Sequence, residues 1–327
     1  MRTLNAPCAN IYVLSYKEEG RVDVLNDMLE AVKLSGDVFF RCDFSGPWGM
    51  QIDETPVAEF HLVVEGECWV EIAGYDNRII LQQGDIILFP HGHAHVLLDA
   101  PETRPLPASE IIGEFPPDYG TVKFGDGGGK RIGLLCGYFS FDRHGHSALI
   151  NALPSFIHLE CNRVAADFPW LVTTMQFIDH ETRASRPGTE ATVRRLVEVL
   201  FVQILRAYIE TSTDASGLLG AIAEPRLGRA LEAMHGKPER HWTLESLASI
   251  AGMSRTAFAA RFLARVGQPP MQYLTEWRMH CARAILETTR RSMGDIAETC
   301  GYMSESSFSK AFKKQFGQSP GAARKGR

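Results

Sequence analysis

An internal repeat occupies the last third of this 327-residue chain and constrains its fold more than any other feature. Leu247-Ala248 matches Ile296-Ala297 at an offset of 49 residues, and Gly252 matches Gly301 at the same offset. After one inserted residue the offset becomes 50, and the further matches join Phe258, Phe262, Gly267 and Pro270 to Phe308, Phe312, Gly317 and Pro320. Matches held in register over this length predict two copies of one structural unit.

Each copy has the order of features expected of a helix-turn-helix unit. A short apolar helix precedes the glycine, which tolerates the positive φ of a turn. Ser254 or Ser304 then follows as the N-cap of a second helix, which two phenylalanines anchor in the core. The other face of that helix carries Arg255, Thr256, Arg261 and Arg265 in the first copy and Glu305, Ser306, Ser307, Lys310, Lys313 and Lys314 in the second. Such a helix can lie in the major groove of DNA.

Charge is unevenly distributed along the chain. The segment from Pro225 to Arg327 carries 17 Lys+Arg and 8 Asp+Glu, a balance of +9, whereas the whole chain has a net charge of −5. The other 224 residues therefore have a balance of −14. Because phosphate binding requires a concentration of basic side chains, the distribution favours double-stranded DNA as the partner of the repeat.

The second copy, IAETCGYMSESSFSKAFKKQFGQSP, is close to the signature of a known family. The tandem resembles the C-terminal DNA-binding domain of AraC/XylS-family transcription regulators, in which two helix-turn-helix units read adjacent segments of the major groove. The resemblance implies that the groove-facing positions are Thr256, Ala260, Ser306, Ser307 and Lys310. The side chain of Ala260 has no hydrogen-bond donor, so we expect the first unit to read bases weakly or to use Arg261.

The first half of the chain has the pattern of short β-strands. Glu59 to Ile72 and Arg78 to Phe89 are rich in Val, Ile, Phe and Trp, and the segment AGYDN between them supplies turn residues. This arrangement predicts a β-hairpin. Turn signals recur at Gly46-Pro47, Gly66 and Gly84-Asp85, and short strands punctuated in this way predict a sandwich or a barrel.

The segments EFHLVVEGECWVEI and GDIILFPHGHAHVL carry a second resemblance. Together with the later run CGYFSFDRHGHSALINALPSFIHL, they look like the cupin sensor domain of one AraC-type subfamily, over most of residues 20 to 160. The resemblance implies a small β-barrel of the kind often used to hold a ligand or a metal.

Four residues of these segments are candidate ligands for a transition metal such as zinc. Glu59 and His61 share one strand face, and His93 and His95 alternate in the same way; imidazole suits Zn, Cu, Fe or Ni. Metal-binding cupins usually carry an HxH pair just before the glutamate, and the stretch GMQIDETPVAEF has none. In one hypothesis, a metal is bound by some subset of Glu59, His61, His93 and His95. In the other, His61 and His95 line an organic-ligand pocket or satisfy buried polar groups, and His93 sits in a turn.

Apolar residues at helical spacing run from Val193 to Tyr208 and predict a helix. Two roles stay open for it, which are packing on its own domain and forming a seam between the subunits of a homodimer. The residues assigned to the dimer seam are Val193, Leu196, Val197, Leu200, Phe201 and Ile204. The small polar segment from Thr211 to Gly220 predicts a linker after the helix.

These observations predict a multidomain α+β protein. It comprises a cupin-like β-barrel sensor domain over residues 1–160, a helical dimerisation segment and linker over 161–220, and an all-α tandem helix-turn-helix domain over 221–327. The predicted function is a sequence-specific transcription regulator that responds to a small-molecule, metal or redox signal, with RNA polymerase as a further candidate partner. The alternative is a metal-dependent cupin enzyme fused to a helical DNA-binding module. No stretch approaches the ~20 apolar residues of a membrane span, and the cysteine pattern suggests reduced thiols in the cytoplasm.

Overall fold

The computed structural model describes residues 22–32, 34–113, 120–125, 127–141, 148–184, 186–211 and 217–325. Contacts divide the chain into two compact units. The first, which we call the sheet unit, is Val32–Ala223. The second, the helical unit, combines Met1–Ala31 with Glu224–Arg327. Residues 161–220 therefore group with the strands, and the chain divides into two units where the sequence pattern predicted three segments.

The strands of the sheet unit are short, apart from the first and the tenth, which have 11 and 10 residues and pair with each other. In chain order they are β1 (Ser35–Ser45), β2 (Gly49–Ile52), β3 (Ala58–Glu65), β4 (Glu67–Ile72), β5 (Ile79–Gln82), β6 (Ile86–Phe89), β7 (His95–Leu98), β8 (Leu106–Pro107), β9 (Thr121–Phe124), β10 (Arg131–Ser140) and β11 (Ile157–Leu159).

These strands form two sheets that share one hydrophobic core. The six-stranded sheet has the order β11-β6-β3-β10-β1-β9, and the five-stranded sheet has the order β5-β4-β7-β2-β8. The core includes Phe44 and Phe89 from the first sheet and Val70 and Leu97 from the second. Among the described residues no ladder joins the two sheets into a closed barrel, and the two sheets together with an all-helical unit are the predicted multidomain α+β class.

Gly66 ends β3 and directs the chain into the other sheet. Its φ is +82°, and a Cβ added there would lie 2.5 Å from the backbone oxygen of Arg131, so a residue with a side chain does not fit. The sequence pattern predicted a single strand over Glu59 to Ile72, and the glycine divides it. The predicted hairpin forms between β4 and β5, whereas β3 pairs with β6 and β10.

The helices of the sheet unit follow and interrupt the strands. They are α2 (Ala108–Ile112), α3 (Ala148–Asn151), α4 (Cys161–Val164), α5 (Pro169–Ala184), α6 (Thr189–Thr211) and α7 (Gly217–Ala223); α1 (Val24–Val32) precedes β1. Residues 212–216 of the predicted linker lie outside the described residues, and its last residues begin α7. None of the described helices is long and apolar enough to cross a membrane.

The stripe of α6 packs inside its own unit. Five of the six residues assigned to the dimer seam are fully buried, and Leu196 is partly buried. The ring of Phe201 lies 4.9 Å from that of Phe139 on β10 and 5.4 Å from that of Phe141, measured between centroids. These side chains are buried in the core of their own chain, which favours packing on their own unit, the first of the two roles left open for the helix, over a seam between subunits. The six residues assigned to the dimer seam are Val193, Leu196, Val197, Leu200, Phe201 and Ile204.

The helical unit contains the predicted repeat. Its helices are α8 (Pro225–Gly236), α9 (Leu244–Ala251), α10 (Arg255–Val266), α11 (Pro270–Thr288), α12 (Met293–Thr299), α13 (Glu305–Phe316) and α14 (Pro320–Lys325). Helix α1, apart from its last residue, belongs to this unit as well. Its Asp27 carboxylate lies 3.2 Å from Nδ1 of the buried His235, whose Nε2 is 2.7 Å from the Tyr273 hydroxyl.

Candidate functional site

The two helix-turn-helix units are built by the same local interactions. In the first, Gly252 ends α9 in the left-handed conformation, and the Ser254 hydroxyl caps α10 by accepting a hydrogen bond from the Ala257 N–H. In the second, Gly301 adopts a φ of +75° and Ser304 caps α13 by accepting from the Ser307 N–H. Glycine and serine are thus placed where the turn and the orphan N–H groups require them.

The buried and exposed faces of α10 and α13 are those that the sequence predicted. Phe258 and Phe262 are fully buried under α10, and Phe308 and Phe312 under α13. Every candidate DNA contact is exposed, namely Ser254, Arg255, Thr256, Ala260, Arg261, Arg265, Ser304, Glu305, Ser306, Ser307, Lys310, Lys313 and Lys314. Two exposed helices of this kind, separated by α11, can each present their first turns to a major groove.

In the sheet unit, three predicted metal ligands come together between the sheets. Glu59 and His61 lie two residues apart on β3, and His95 begins β7. One ligand atom of each residue lies within 4.8 Å of the others, and all three side chains are buried. The Nε2 atoms of His61 and His95 are 2.7 Å apart, and one carboxylate oxygen of Glu59 has no hydrogen-bond partner.

A chain of hydrogen bonds fixes the tautomers of both histidines. Nδ1 of His95 lies 2.8 Å from the backbone oxygen of His93, and because a carbonyl only accepts, this nitrogen carries a proton. Nε2 of His95 therefore accepts a hydrogen bond from Nε2 of His61. The remaining Nδ1 of His61 is then the acceptor for the Cys136 thiol, whose Sγ is 3.1 Å away.

Burial sets the charge states of this cluster. Burial and the nearby His95 hold the pKa of His61 well below its usual value, and burial lowers the pKa of His95 to about 4. Burial also raises the pKa of Glu59 to about 7. Both imidazoles are therefore neutral near pH 7, which is the form that binds metals.

His93 does not join the cluster, so the four candidate ligands reduce to three. Its side chain is partly buried with Nδ1 unpartnered, and its role is to hold His95 through the backbone oxygen. The sequence pattern gives no sign that Cys136 belongs to this site, because Cys136 comes from β10, 75 residues after His61. A cavity of about 420 Å³ lies beside His95, with Gln51, Glu71 and Arg78 in its lining.

Comparisons with known proteins match both units. A cupin family model covers residues 23–210, and a helix-turn-helix domain model covers residues 247–326. An AraC-like transcription regulator of Streptomyces lividans is 32% identical over 306 residues, which span 93% of this chain and 98% of the relative. This chain belongs to the AraC family of transcription regulators.

Other transcription regulators are also similar to this chain. The transcriptional regulator AlkR of Acinetobacter baylyi is 30% identical over 300 residues, which span 91% of this chain and 98% of AlkR. The solved DNA-binding domain of AdpA, in complex with a target DNA, is 33% identical over 32% of this chain and 92% of that domain, with a TM-score of 0.30. The predicted function as a DNA-binding transcription regulator is confirmed, and the relatives favour it over the enzyme alternative.

One acidic residue engages two basic candidates of this AraC-family chain. Nε of Arg261 lies 2.6 Å from one carboxylate oxygen of Glu224, and Nε of Arg265 lies 3.9 Å from the other. Glu224 precedes α8 and directly follows the last residue of the sheet unit in sequence. Arg261, proposed from sequence as the substitute for Ala260, is thus held by an ion pair. The sequence pattern gives no sign of this ion pair, because 37 residues separate Glu224 from Arg261.

We expect the Glu224→Gln substitution to strengthen binding to all DNA sequences alike. The change removes the charge that competes with phosphates for Arg261 and Arg265, and the Glu224 side chain makes no helix-capping bond that would be lost. Each additional phosphate contact should steepen the slope of log K against log salt concentration by about 0.9. At 0.1 M salt this corresponds to an increase in affinity of up to about eightfold. Fluorescence anisotropy over a salt series measures both quantities. Glu245→Gln, at an exposed acidic position on α9, is the matched control, and equal slopes for the two variants would contradict the expectation.

Proposed function

We propose that this AraC-family regulator reads DNA through α10 and α13 and that its sheet unit senses a divalent transition metal, such as zinc, at Glu59, His61 and His95. Thr256 and Ala260 of the first unit and Ser306, Ser307 and Lys310 of the second would face base edges. The basic side chains Arg255, Lys313 and Lys314 would contact phosphates. The observation that carries the sensing proposal is the unpartnered oxygen of Glu59 beside two facing imidazoles.

The chemistry of these three donors fits a transition metal. Two neutral imidazoles and one carboxylate form a ligand set that zinc sites use. A buried polar atom with no partner is costly, and coordination would provide the Glu59 oxygen with one. Nδ1 of His95 keeps its hydrogen bond to the His93 carbonyl, which supplies the orienting contact that metal-bound histidines need. When bound, the metal would supply positive charge to a site whose residues are otherwise neutral or acidic.

Strand β10 is the element through which the site can influence the rest of the sheet unit. Cys136 on this strand contacts His61, and Phe139, three residues later, packs against Phe201 of α6. A change in the hydrogen bonding of His61 is therefore separated from α6 by two steps, the Cys136 contact and the packing of Phe139 on Phe201. A ligand shifts DNA binding only if it binds two arrangements of the protein with different affinities, and we assign that difference to the β10–α6 contact.

The proposal includes a homodimer, with a contact face different from the buried stripe of α6. Large apolar side chains stay exposed on the outer faces of α5 and α6, namely Trp170, Phe177 and Val199. We propose that a second copy of the chain covers them. The regulator would act in the cytoplasm, in contact with RNA polymerase at promoters, and without enzymatic activity of its own. Sedimentation velocity of the Trp170→Ser, Phe177→Ser double variant tests this face, because it should be monomeric where the wild type is dimeric.

Zinc binding by the full-length protein tests the sensing proposal. After equilibrium dialysis against buffered zinc, mass spectrometry should find stoichiometric zinc in the wild type. Glu59→Gln removes the anionic ligand and should weaken zinc binding by at least about 100-fold. Mutating a residue that only hydrogen-bonds a metal ligand typically lowers metal affinity by about 10–100-fold, and losing a ligand itself should lower it further.

His91→Gln is the matched control, because His91 lies in the same loop as His93 and bonds only the Leu153 backbone oxygen. Its zinc content should equal that of the wild type. Absence of zinc from the wild type, or equal loss in both variants, would contradict the proposal. Zinc-dependent turnover of a small molecule would revive the cupin-enzyme alternative, since three protein ligands leave a coordination position open.

A further inference from the structure

The two helix-turn-helix units differ by one residue, and the structure shows which one. The N–H of Met253 bonds the Ala248 carbonyl at 3.0 Å, and the N–H of Tyr302 bonds the Ala297 carbonyl at 2.9 Å. These equivalent bonds are 49 residues apart, whereas the N-caps Ser254 and Ser304 are 50 apart. Met303 is therefore the inserted residue, with no counterpart in the first unit.

The fold of the second unit does not need the Met303 side chain. Tyr302 takes the packing position beside the turn, where its ring lies 5.9 Å from that of Phe308 and below the Arg278 guanidinium. Met303 is instead 90% exposed, the largest exposure among the exposed large apolar side chains of the described residues. Covering an apolar side chain that is exposed to water lowers the free energy of the system, so a partner that covers Met303 would be bound more tightly.

The place of Met303 identifies that partner. Met303 directly precedes Ser304, the N-cap of α13, and so lies at the N-terminal end of this helix. The first turn of the helix carries Ser306 and Ser307. The N-terminal residues of a recognition helix are the ones that approach base edges. In the major groove, the only apolar group that a base pair offers is the C5-methyl of thymine.

We propose that Met303 is a specificity-determining residue that contacts a thymine methyl group next to the bases read by α13. The inference rests on the proposed docking of α13 in the major groove. The thioether side chain is flexible and polarizable, so it can follow a methyl group without demanding one fixed geometry. The first unit, with Met253 partly buried in the equivalent turn, has no such contact.

Replacing thymine with deoxyuracil in the binding site tests this contact, because the change removes one methyl group and leaves the hydrogen-bonding edge intact. The site is first obtained by selecting DNA from a random library with the full-length protein. At one position, the wild type should lose about fourfold to fifteenfold in affinity on the T-to-U change, roughly the effect of burying one or two CH₂-sized groups. Met303→Ala should bind the two DNAs equally, and Met303→Gln should do the same at a similar side-chain length.

The outcomes separate this inference from the docking on which it rests. If Lys310→Ala changes the base preference while Met303→Ala keeps the full T-over-U preference at every position, docking stands and the Met303 contact is overturned. If neither variant changes any base preference, the docking of α13 fails as well. A selected site with no thymine opposite the start of α13, or a Met303→Ala defect seen only when RNA polymerase is present, also overturns the contact.

Discussion

Replacing Phe201 with alanine is expected to lower the free energy of unfolding of the sheet unit by about 3–5 kcal/mol. The ring is fully buried and packs against Phe139 and Phe141 of the same chain, so truncation leaves a cavity that the neighbouring strands cannot fill. Urea unfolding, followed by hydrogen exchange in β10 and α6 so that the two units are distinguished, measures the loss. The loss of unfolding free energy relative to the wild type should be independent of protein concentration.

Arg206→Ala is the control for this prediction. Arg206 lies on the same helix with an exposed side chain, and a substitution there should change the free energy of unfolding by no more than about 0.5 kcal/mol. If Phe201→Ala instead left the unfolding of the sheet unit unchanged and weakened only dimer association, the stripe of α6 would be a subunit seam and its placement in the core would be incorrect.

Replacing Lys310 with alanine is expected to weaken binding to the selected DNA site by about 1–3 kcal/mol, which is roughly 5-fold to 150-fold in affinity. Lys310 is exposed one turn into α13, where a lysine can donate to guanine O6 and N7. The loss should be smaller for unrelated DNA, so the ratio of specific to non-specific affinity falls. Anisotropy titrations with the selected site and with a scrambled sequence give this ratio.

Lys313→Ala is the matched comparison, since Lys313 is an exposed lysine one turn nearer the C-terminus of the same helix. It should weaken binding to both DNAs equally and reduce the salt slope by about 1. An unchanged specificity ratio for Lys310→Ala, with a salt slope reduced as in Lys313→Ala, would mean that both lysines contact only phosphates.

The DNA-reading unit could be predicted in detail because its determinants are local. Gly252, Ser254 and the pair Phe258 and Phe262 act within a few residues of one another, and the second copy repeats them. The ion pair between Arg261 and Glu224 could not be predicted, because it depends on how α8 packs against α10. Similarly, the spacing of Phe201 and its neighbours is the same for a helix that packs on its own unit and for one that meets a second chain.

The candidate metal site was only partly predictable, for a physical reason that differs between its members. Glu59 and His61 lie on one continuous strand, where alternation places both side chains on one face. Alternation fails for His93 because β7 begins only at His95, so the preceding residues follow the geometry of a turn. Cys136 reaches His61 through the pairing of β3 with β10, and sequence patterns do not determine which distant strands pair.

The most direct test of the whole account is the affinity of the full-length protein for its selected DNA site, measured with and without zinc, for the wild type and for Glu59→Gln. Zinc is expected to change the DNA affinity of the wild type by about 5-fold to 150-fold, the usual range of coupling between two sites. Glu59→Gln should bind DNA with the same affinity in both conditions. A wild type that holds stoichiometric zinc and binds DNA equally well with and without it would contradict the account.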